Sequence, residues 1–588
     1  MVILEEKKEA VFQENQEKQE DKGKSKKEKK WLKYLWHFAL IVAILAQLFF
    51  AMKYFEAGEE NLIIEDPWTW ETIAIWFSIY LIIKGITNKT KLSLTILIGL
   101  ETIFDIINYI VRTVRGSTIT VSDMFAIRTA LSVSKNMHLE FDAKFYIGML
   151  FVILIIATLV IFRRKFIEQK SKWFIRVLKI LIGVIAIISF AIAFKDHSLW
   201  DMNHNYRWKG TPVTLIRSFT SLNTIPPSGY DKEEAKNILE SYEESKTINK
   251  DDLPNIIVII NESFCDYYNL YKDGFSDSIE YFTKLSKEEN VVSGVMYSSS
   301  FGGETANVEY EFLTQNSLRI LPVGSYVFQQ YISDPVKASL VQVLKNSGYK
   351  TSAIHPWESY AYSRNKIYEL FDFDAIKFKD DIEGLEKNFN NEFYSDRSTY
   401  NEMLKQINQK SQNERIFEYV LTVQNHTGYW NTDPKQIKYN NDNSKNVYMQ
   451  LIHESADALK YVIDELKEKE EKYILLFFGD HQPNLDGSKN STNRPIEHYE
   501  TPFLIWANYD IEEKYNIRTS TVYLQNYLLK AAGIQYSSMN NYMERLQKYY
   551  PIITKNFYID NLGNIHREED TDKLEEYNKL VYYRIFDN

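Results

Sequence analysis

Hydrophobicity is spread along this chain so unevenly that only one gross architecture accommodates it. Apolar runs at Tyr34–Phe55, Thr72–Ile86, Leu92–Val111, Phe145–Phe162 and Val177–Phe194 crowd the first third, whereas the remainder reads as a water-soluble domain. Spanning a bilayer takes about 20 apolar residues in a helix, which satisfies its own backbone N–H and C=O groups where lipid cannot. The first run is long enough. It ends without a small-residue cleavage site and four more runs follow, so a removable signal peptide does not fit. Thr72–Ile86 is the weakest of the five, being short with Glu71 at its edge.

The expected division is a charged, disordered cytoplasmic tail at 1–30, a five-helix transmembrane domain at 31–195, an extracellular linker at 196–253 and a soluble domain at 254–588. Orientation follows from basic residues in short loops. Lys22–Lys30 holds six lysines, and the loops with Lys84, Lys89 and Lys91 and with Arg163–Lys172 would share its side. The acidic loop Glu56–Asp66 would lie opposite, which places the N-terminus inside and everything beyond Lys195 outside. Arg112, Arg115, Arg128, Lys135 and Lys144, between spans three and four, run against that rule and suit a cationic ledge for anionic lipid headgroups. Asp105, Asn108 and Tyr109, late in span three, are expected to face the bundle interior. In the linker, Trp200–Arg217 reads as an aromatic, basic interfacial segment, broken at Pro226-Pro-Ser-Gly229 and followed by an exposed helix at Asp231–Lys250.

A net charge of −10 argues against a nucleic-acid partner, which demands a basic face. A lone cysteine, Cys265, excludes an intrachain disulfide and reads as packing.

Beyond Leu253, apolar runs alternate with helical patterns, as in an α/β domain with a mainly parallel sheet. Expected strands are Asn255–Ile260, Val291–Met296, Lys350–Ile354, Phe417–Val423, Tyr473–Phe478 and Pro502–Trp506, and expected helices are Ile279–Glu289, Pro335–Ser347, Tyr448–Lys469 and Thr521–Ala532. Ligands of such sheets collect beyond the carboxyl ends of the strands. Glu262 follows the first strand, Asp480 and His481 follow Tyr473–Phe478, His426 follows Phe417–Val423, and Lys350–Ile354 runs into His355 and on to Arg364. A glycine turn, Phe301-Gly-Gly-Glu-Thr305, sets Thr305 at a helix start, where a hydroxyl is ordinarily an N-cap.

Taken together these residues suit another role. Two carboxylates and an imidazole, Glu262, Asp480 and His481, with Thr305 Oγ, are a hard ligand set for Mn²⁺ or Mg²⁺. Coordination would lower the threonine hydroxyl's pKa enough for attack and offset charge on a phosphoryl oxygen. His426 suits proton transfer to the leaving alkoxide or from an acceptor, and Arg364 suits bidentate contact with phosphate.

The stretches Ile256–Phe264, Gly302-Gly-Glu-Thr-Ala-Asn-Val-Glu-Tyr310, His355 with Tyr362-Ser-Arg-Asn-Lys-Ile-Tyr368, Gln424-Asn-His-Thr427 and Gly479-Asp-His481 resemble, in order, the lipoteichoic acid synthase family of phosphoglycerol transferases, within the alkaline phosphatase/sulfatase superfamily. Arg115-Gly-Ser-Thr-Ile-Thr-Val-Ser-Asp123 is also similar. The resemblance implies five spans before an extracellular sulfatase-like α/β domain, in a Gram-positive-type cell membrane. It implies one Mn²⁺ on Glu262, Thr305, Asp480 and His481, and a covalent glycerophosphoryl group on Thr305. It further implies a phosphoglycerol pocket of His355, Tyr362, Arg364 and His426. The donor would be phosphatidylglycerol and the acceptor a growing lipid-linked polymer or a glycolipid. Two departures, Trp357 in place of an Asp and Ala361 in place of an aromatic, bear on headgroup and acceptor choice.

Other readings keep the site and change the substrate, giving a phosphoethanolamine transferase or a lipid phosphodiesterase. The former usually carries disulfides, which one cysteine disfavours. An arylsulfatase lacks support because its Cys/Ser-x-Pro-x-Arg setting is absent. A degenerate binding module would not need the complete ligand set.

Overall fold

The computed structural model describes residues 31–52, 54–55, 68–115, 118–134, 141–166, 170–193, short pieces within 212–219, and residues 224–242, 252–322, 324–431, 438–485, 496–567 and 574–587. The expected tail at 1–30 and most of the linker, including nearly all of Trp200–Arg217, lie outside them. The chain forms two units, one of residues up to Ile110 with Glu140–Asp196 and His204–Arg217, the other of Val111–Leu139, His197–Asn203 and Ser218–Asn588.

Among the described residues, four helices are long and apolar enough to cross a membrane: Trp31–Met52, Thr90–Val114, Ala143–Ile161 and Trp173–Ala193. The second expected run is also a helix, Trp68–Thr87, with Glu71 in its first turn and Lys84 in its last. It packs on Trp173–Ala193 through paired glycines. A Cβ on Gly85 would lie 2.7 Å from the Arg176 carbonyl oxygen, and one on Gly183 would lie 2.6 Å from that of Ser78. Backbones this close need small residues, the usual way helices associate where lipid offers no hydrophobic drive. Arg176 Nε adds a hydrogen bond to the Gly85 carbonyl at 2.8 Å. Ile44, Leu48, Trp76, Leu94 and Ile155 form the apolar centre, and Asp105 and Asn108 are buried, as the sequence led one to expect.

The second unit is built on an eight-stranded sheet: β1 (Asn255–Asn261), β2 (Val291–Tyr297), β3 (Lys350–His355), β4 (Ala375–Phe378), β5 (Ile416–Leu421), β6 (Tyr473–Gly479), β7 (Glu500–Ala507) and β8 (Lys514–Ser520). The order is β4-β3-β5-β1-β6-β7-β2-β8, and every neighbouring pair is parallel except those that β7 makes with β6 and β2. The six expected strands are all present; the short β4 and the polar edge strand β8 were not expected.

Alternation explains why β1 must be central. Ile256, Val258 and Ile260 join Val308 and Phe312 on one face, while Ile257 and Ile259 join Leu451 and Val462 on the other. Burying these five side chains contributes on the order of 10 kcal/mol before conformational entropy is charged against it. A small three-stranded sheet, Ile552–Ile553, Phe557–Ile559 and Ile565–Arg567, completes the unit.

Candidate active site

β1 and β6 are parallel neighbours whose last residues, Asn261 and Gly479, stand in register, so the residues after them emerge side by side. Gly479 cannot carry a side chain, because a Cβ there would lie 1.8 Å from the Phe264 carbonyl oxygen. That close passage brings the turn after β1 onto the tip of β6. Ser263, at a left-handed φ of 51°, stitches the two tips. Its N–H donates to Asp480 Oδ1 at 2.7 Å and its hydroxyl to Glu262 Oε1 at 2.8 Å. The His481 N–H also donates to Asp480 Oδ1, at 2.8 Å.

The remaining polar atoms converge. His481 Nε2 lies 3.3 Å from Asp480 Oδ2 and 3.6 Å from Glu262 Oε1. Asp480 Oδ2 and His481 Nε2 are buried without a hydrogen-bond partner, and ligand atoms of Glu262, Asp480 and His481 lie within 4.8 Å of one another. Buried polar atoms without partners are costly, and a divalent cation is the group that fits this donor set. Burial pushes the Asp480 carboxyl up to about 6, the neighbouring Glu262 adds to that, and His481 opposes it.

Thr305 opens the helix Thr305–Thr314 and is not its N-cap. That position is Glu304, at φ 67°, with no side-chain cap bond. Gly302, at φ 69°, shapes the turn, and its N–H donates to the Gln482 carbonyl at 2.9 Å, tying the turn to the β6 tip. The Thr305 hydroxyl is therefore spare for another use. Buried, it donates to Glu262 Oε2 at 3.3 Å.

A second cluster surrounds Arg364, the first residue of the helix Arg364–Leu370. Its Nε and Nη2 meet Glu309 Oε1 at 2.9 and 2.7 Å, and its Nη1 lies 3.4 Å from His355 Nε2. His355 Nδ1 faces the Leu421 carbonyl at 3.2 Å, so that nitrogen carries the proton and Nε2 is the acceptor. Burial, then the Arg364 charge, holds the His355 pKa well below the ordinary histidine range. Tyr362, at φ 53°, lies with its ring 5.0 Å from the Arg364 guanidinium carbon. His426 is half-buried against Phe393, ring centres 4.8 Å apart, and loss of water pushes it down to about 4. Both His481 and Arg364 lower it further.

Sequence reasoning quoted Glu309 but gave it no role. Its signal was spacing: four residues after Thr305 on one helix, it shares that residue's face. The departures Trp357 and Ala361 are both buried, in one apolar cluster with Val133, Phe393 and Val423. Trp357 packs on Phe393 at 4.8 Å, and its indole N–H is buried without a hydrogen-bond partner.

Residues 254–534 match the family model described as Sulfatase. A Rhizobium meliloti (strain 1021) protein named for cyclic beta-1,2-glucan modification is 29% identical over 388 residues, 62% of this chain and 59% of that one. The chain spans between 43% and 59% of the length of the curated relatives it matches. Among solved structures, Streptococcus pyogenes phosphoglycerol transferase GacH, in complex with sn-glycerol-1-phosphate, aligns with TM-score 0.51 at 18% identity, covering 61% of this chain and 94% of GacH. Neisseria meningitidis phosphoethanolamine transferase EptA, an integral membrane protein, aligns with TM-score 0.51 at 10% identity, covering 85% of this chain and 96% of EptA. The resemblance read from Ile256 to His481 is thus borne out: residues 254–534 match the sulfatase family model and have the fold of these phosphoglycerol and phosphoethanolamine transferases.

Proposed function

We propose that this chain is a membrane-anchored phosphoglycerol transferase whose catalytic domain faces outward. It moves glycerophosphate from phosphatidylglycerol through Thr305 to a glycolipid or a lipid-linked polymer. The observation that carries the reading is the Thr305 hydroxyl set against Glu262, in the same buried corner as the unpartnered Asp480 and His481 atoms. A phosphoryl acceptor needs that juxtaposition, whereas a helix cap does not. The glycan names of two curated relatives, one for cyclic beta-1,2-glucan modification and one for capsular polysaccharide biosynthesis, agree with a sugar-bearing acceptor.

Glu262, Asp480 and His481, with Thr305 Oγ, would hold a divalent cation, Mn²⁺ or Mg²⁺, which would make the hydroxyl more acidic and offset charge on the phosphoryl oxygens. In the first step the Thr305 hydroxyl gives up its proton as its oxygen forms a bond to phosphorus, and the bond from phosphorus to the diacylglycerol oxygen breaks. That oxygen takes up a proton and diacylglycerol leaves. In the second step an acceptor hydroxyl attacks the same phosphorus, loses its proton and frees Thr305. His426, lowered to about 4, is neutral at pH 7 and so suits the role of base for that hydroxyl. Arg364 and Tyr362 position the phosphate and glycerol, with His355 keeping the guanidinium aligned.

The test uses the full-length chain in mixed micelles with Mn²⁺ and fluorescent phosphatidylglycerol. Wild type should release diacylglycerol and carry a glycerophosphoryl adduct on the peptide containing Thr305, and Thr305→Ala should do neither. The reading fails if wild type releases none, or if the variant matches it. Release from phosphatidylethanolamine in place of phosphatidylglycerol would reassign the donor.

A further inference from the structure

The stretch 118–134, which the sequence places between the third and fourth apolar runs, packs as part of the catalytic unit, and its two faces are of opposite kinds. On the inner face, Thr120 and Asp123 form a capping box at Val121–Met124, and Asp123 Oδ1 accepts the Tyr326 hydroxyl at 2.7 Å. In the helix Ile127–Ser134, Thr129 Oγ1 accepts the Tyr362 N–H at 2.9 Å, and Val133 enters the cluster with Trp357 and Phe393. This face is built against the residue beside Arg364.

The outer face inverts the rule for a helix in water. Met124, Phe125, Ile127 and Leu131 are 68%, 49%, 51% and 62% exposed, while the hydroxyls of Ser132 and Thr129 turn inward. Four large apolar side chains on so short a stretch form a patch that needs an occupant. Arg128 stands exposed among them, its guanidinium 5.7 Å from the Tyr360 ring centre, where an interfacial cation would meet headgroups. Covalent continuity names the occupant. Ten residues separate Met124 from Val114, the end of one membrane-length helix, and twelve separate Leu131 from Ala143, the start of the next. The first tether extends at most about 35 Å, so the patch is held near a bilayer surface.

We propose that residues 118–134 are a membrane-seated ledge. Met124, Phe125, Ile127 and Leu131 enter the leaflet, and Thr129 and Val133 make the inner face a wall of the active site, so a lipid donor reaches Arg364 with its acyl chains still in the bilayer. The lipid donor rests on the transferase reading above; the membrane contact does not.

The test places an environment-sensitive fluorophore at Leu131→Cys in the full-length chain, reconstituted in vesicles of phosphatidylcholine and phosphatidylglycerol. A matched label at Lys287→Cys, an exposed position, is the reference, and Cys265, being buried, does not compete for label. The label at 131 should emit to the blue of the reference, and nitroxide-bearing lipids should quench it about twofold or more, at every protein-to-lipid ratio. Emission like that of the reference, with no lipid quenching, overturns the ledge. Shielding that vanishes as protein is diluted in lipid overturns it too, since a second copy would then be the cover. In a second arm, Ile127→Glu with Leu131→Glu should cut turnover of bilayer phosphatidylglycerol about tenfold or more. Hydrolysis of a water-soluble glycerophosphoryl nitrophenyl ester should stay within about twofold of wild type, since nothing in the catalytic cluster changes. Equal loss on both substrates would make the segment merely structural and overturn the proposal. If wild type turns over neither substrate, the transferase reading fails and the fluorescence arm still decides the ledge.

Discussion

Arg364 meets Glu309 through two nitrogens on one carboxylate oxygen, Nε at 2.9 Å and Nη2 at 2.7 Å, with both side chains removed from water. The other carboxylate oxygen accepts the Tyr368 hydroxyl at 2.5 Å and that of Tyr419 at 3.3 Å. The pair fixes the guanidinium plane and leaves Nη1 to face His355. Glu309→Ala strands a buried cation and should cost about 3–5 kcal/mol of stability, read as a lower melting temperature. Arg364→Lys keeps the charge and loses the fork, so turnover should fall about 10²-fold. Melting and turnover indistinguishable from wild type in both variants would refute the positioning role.

Metal removal should act on stability as well as on activity. A cation that binds only the folded chain stabilises it by about 2.7 kcal/mol at a hundred times its dissociation constant. Chelator-treated protein should therefore melt earlier and recover with added Mn²⁺, and Asp480→Asn should abolish the Mn²⁺-dependent rise. A rise of equal size in that variant would move the metal elsewhere.

Glu418, in β5, is buried with Oε2 unpartnered, and burial pushes its carboxyl up to about 7. Between the ordinary carboxyl range and about 7 the folded chain holds a proton that the unfolded chain releases, so stability falls as pH rises through that window and levels off above it. Glu418→Gln removes this dependence. Its stability relative to wild type should grow by about 3 kcal/mol from pH 5 to pH 8. Parallel melting-versus-pH curves for the two proteins would contradict the assignment.

In the first unit, Gly183→Leu should drive the helices Trp68–Thr87 and Trp173–Ala193 apart, since a Cβ alone would already lie 2.6 Å from the Ser78 carbonyl oxygen. A disulfide between cysteines placed on the facing sides of the two helices should form readily in the parent and poorly in this variant. Efficient crosslinking in both would show that the contact yields without penalty.

Much of this was legible in the chain, for identifiable reasons. β1 is legible because two-sided burial demands an unbroken run of Ile and Val, and the tips of β1, β5 and β6 carry polar residues directly after such runs. β8 was not, because its sequence Lys-Tyr-Asn-Ile-Arg-Thr-Ser sits at a sheet edge and half faces water. The helix Asp396–Gln409 hid behind polar residues, several of which are buried in hydrogen-bonded pairs such as Asp396 with Ser455 at 2.6 Å. Strand direction leaves no mark in composition, so the reversal of β7 emerges only from the sheet's pairing. Glu309 escaped because a carboxylate in a helix reads as a solvated surface group until Arg364 is seen against it. The packing of 118–134 within the second unit depends on the contacts of Asp123, Thr129 and Val133, which no local pattern announces.

The in-register tips of β1 and β6 also set a timetable. Ser263 and Asp480 meet at 2.7 Å across 217 residues of chain. Closing so long a loop is entropically expensive, and the pairing of β5 with β1 shortens the path that β6 has left to close. A chain still emerging from synthesis holds Glu262 and Thr305 long before it has Asp480 and His481. The ligand atoms of Glu262, Asp480 and His481 therefore come together only when β6 docks beside β1.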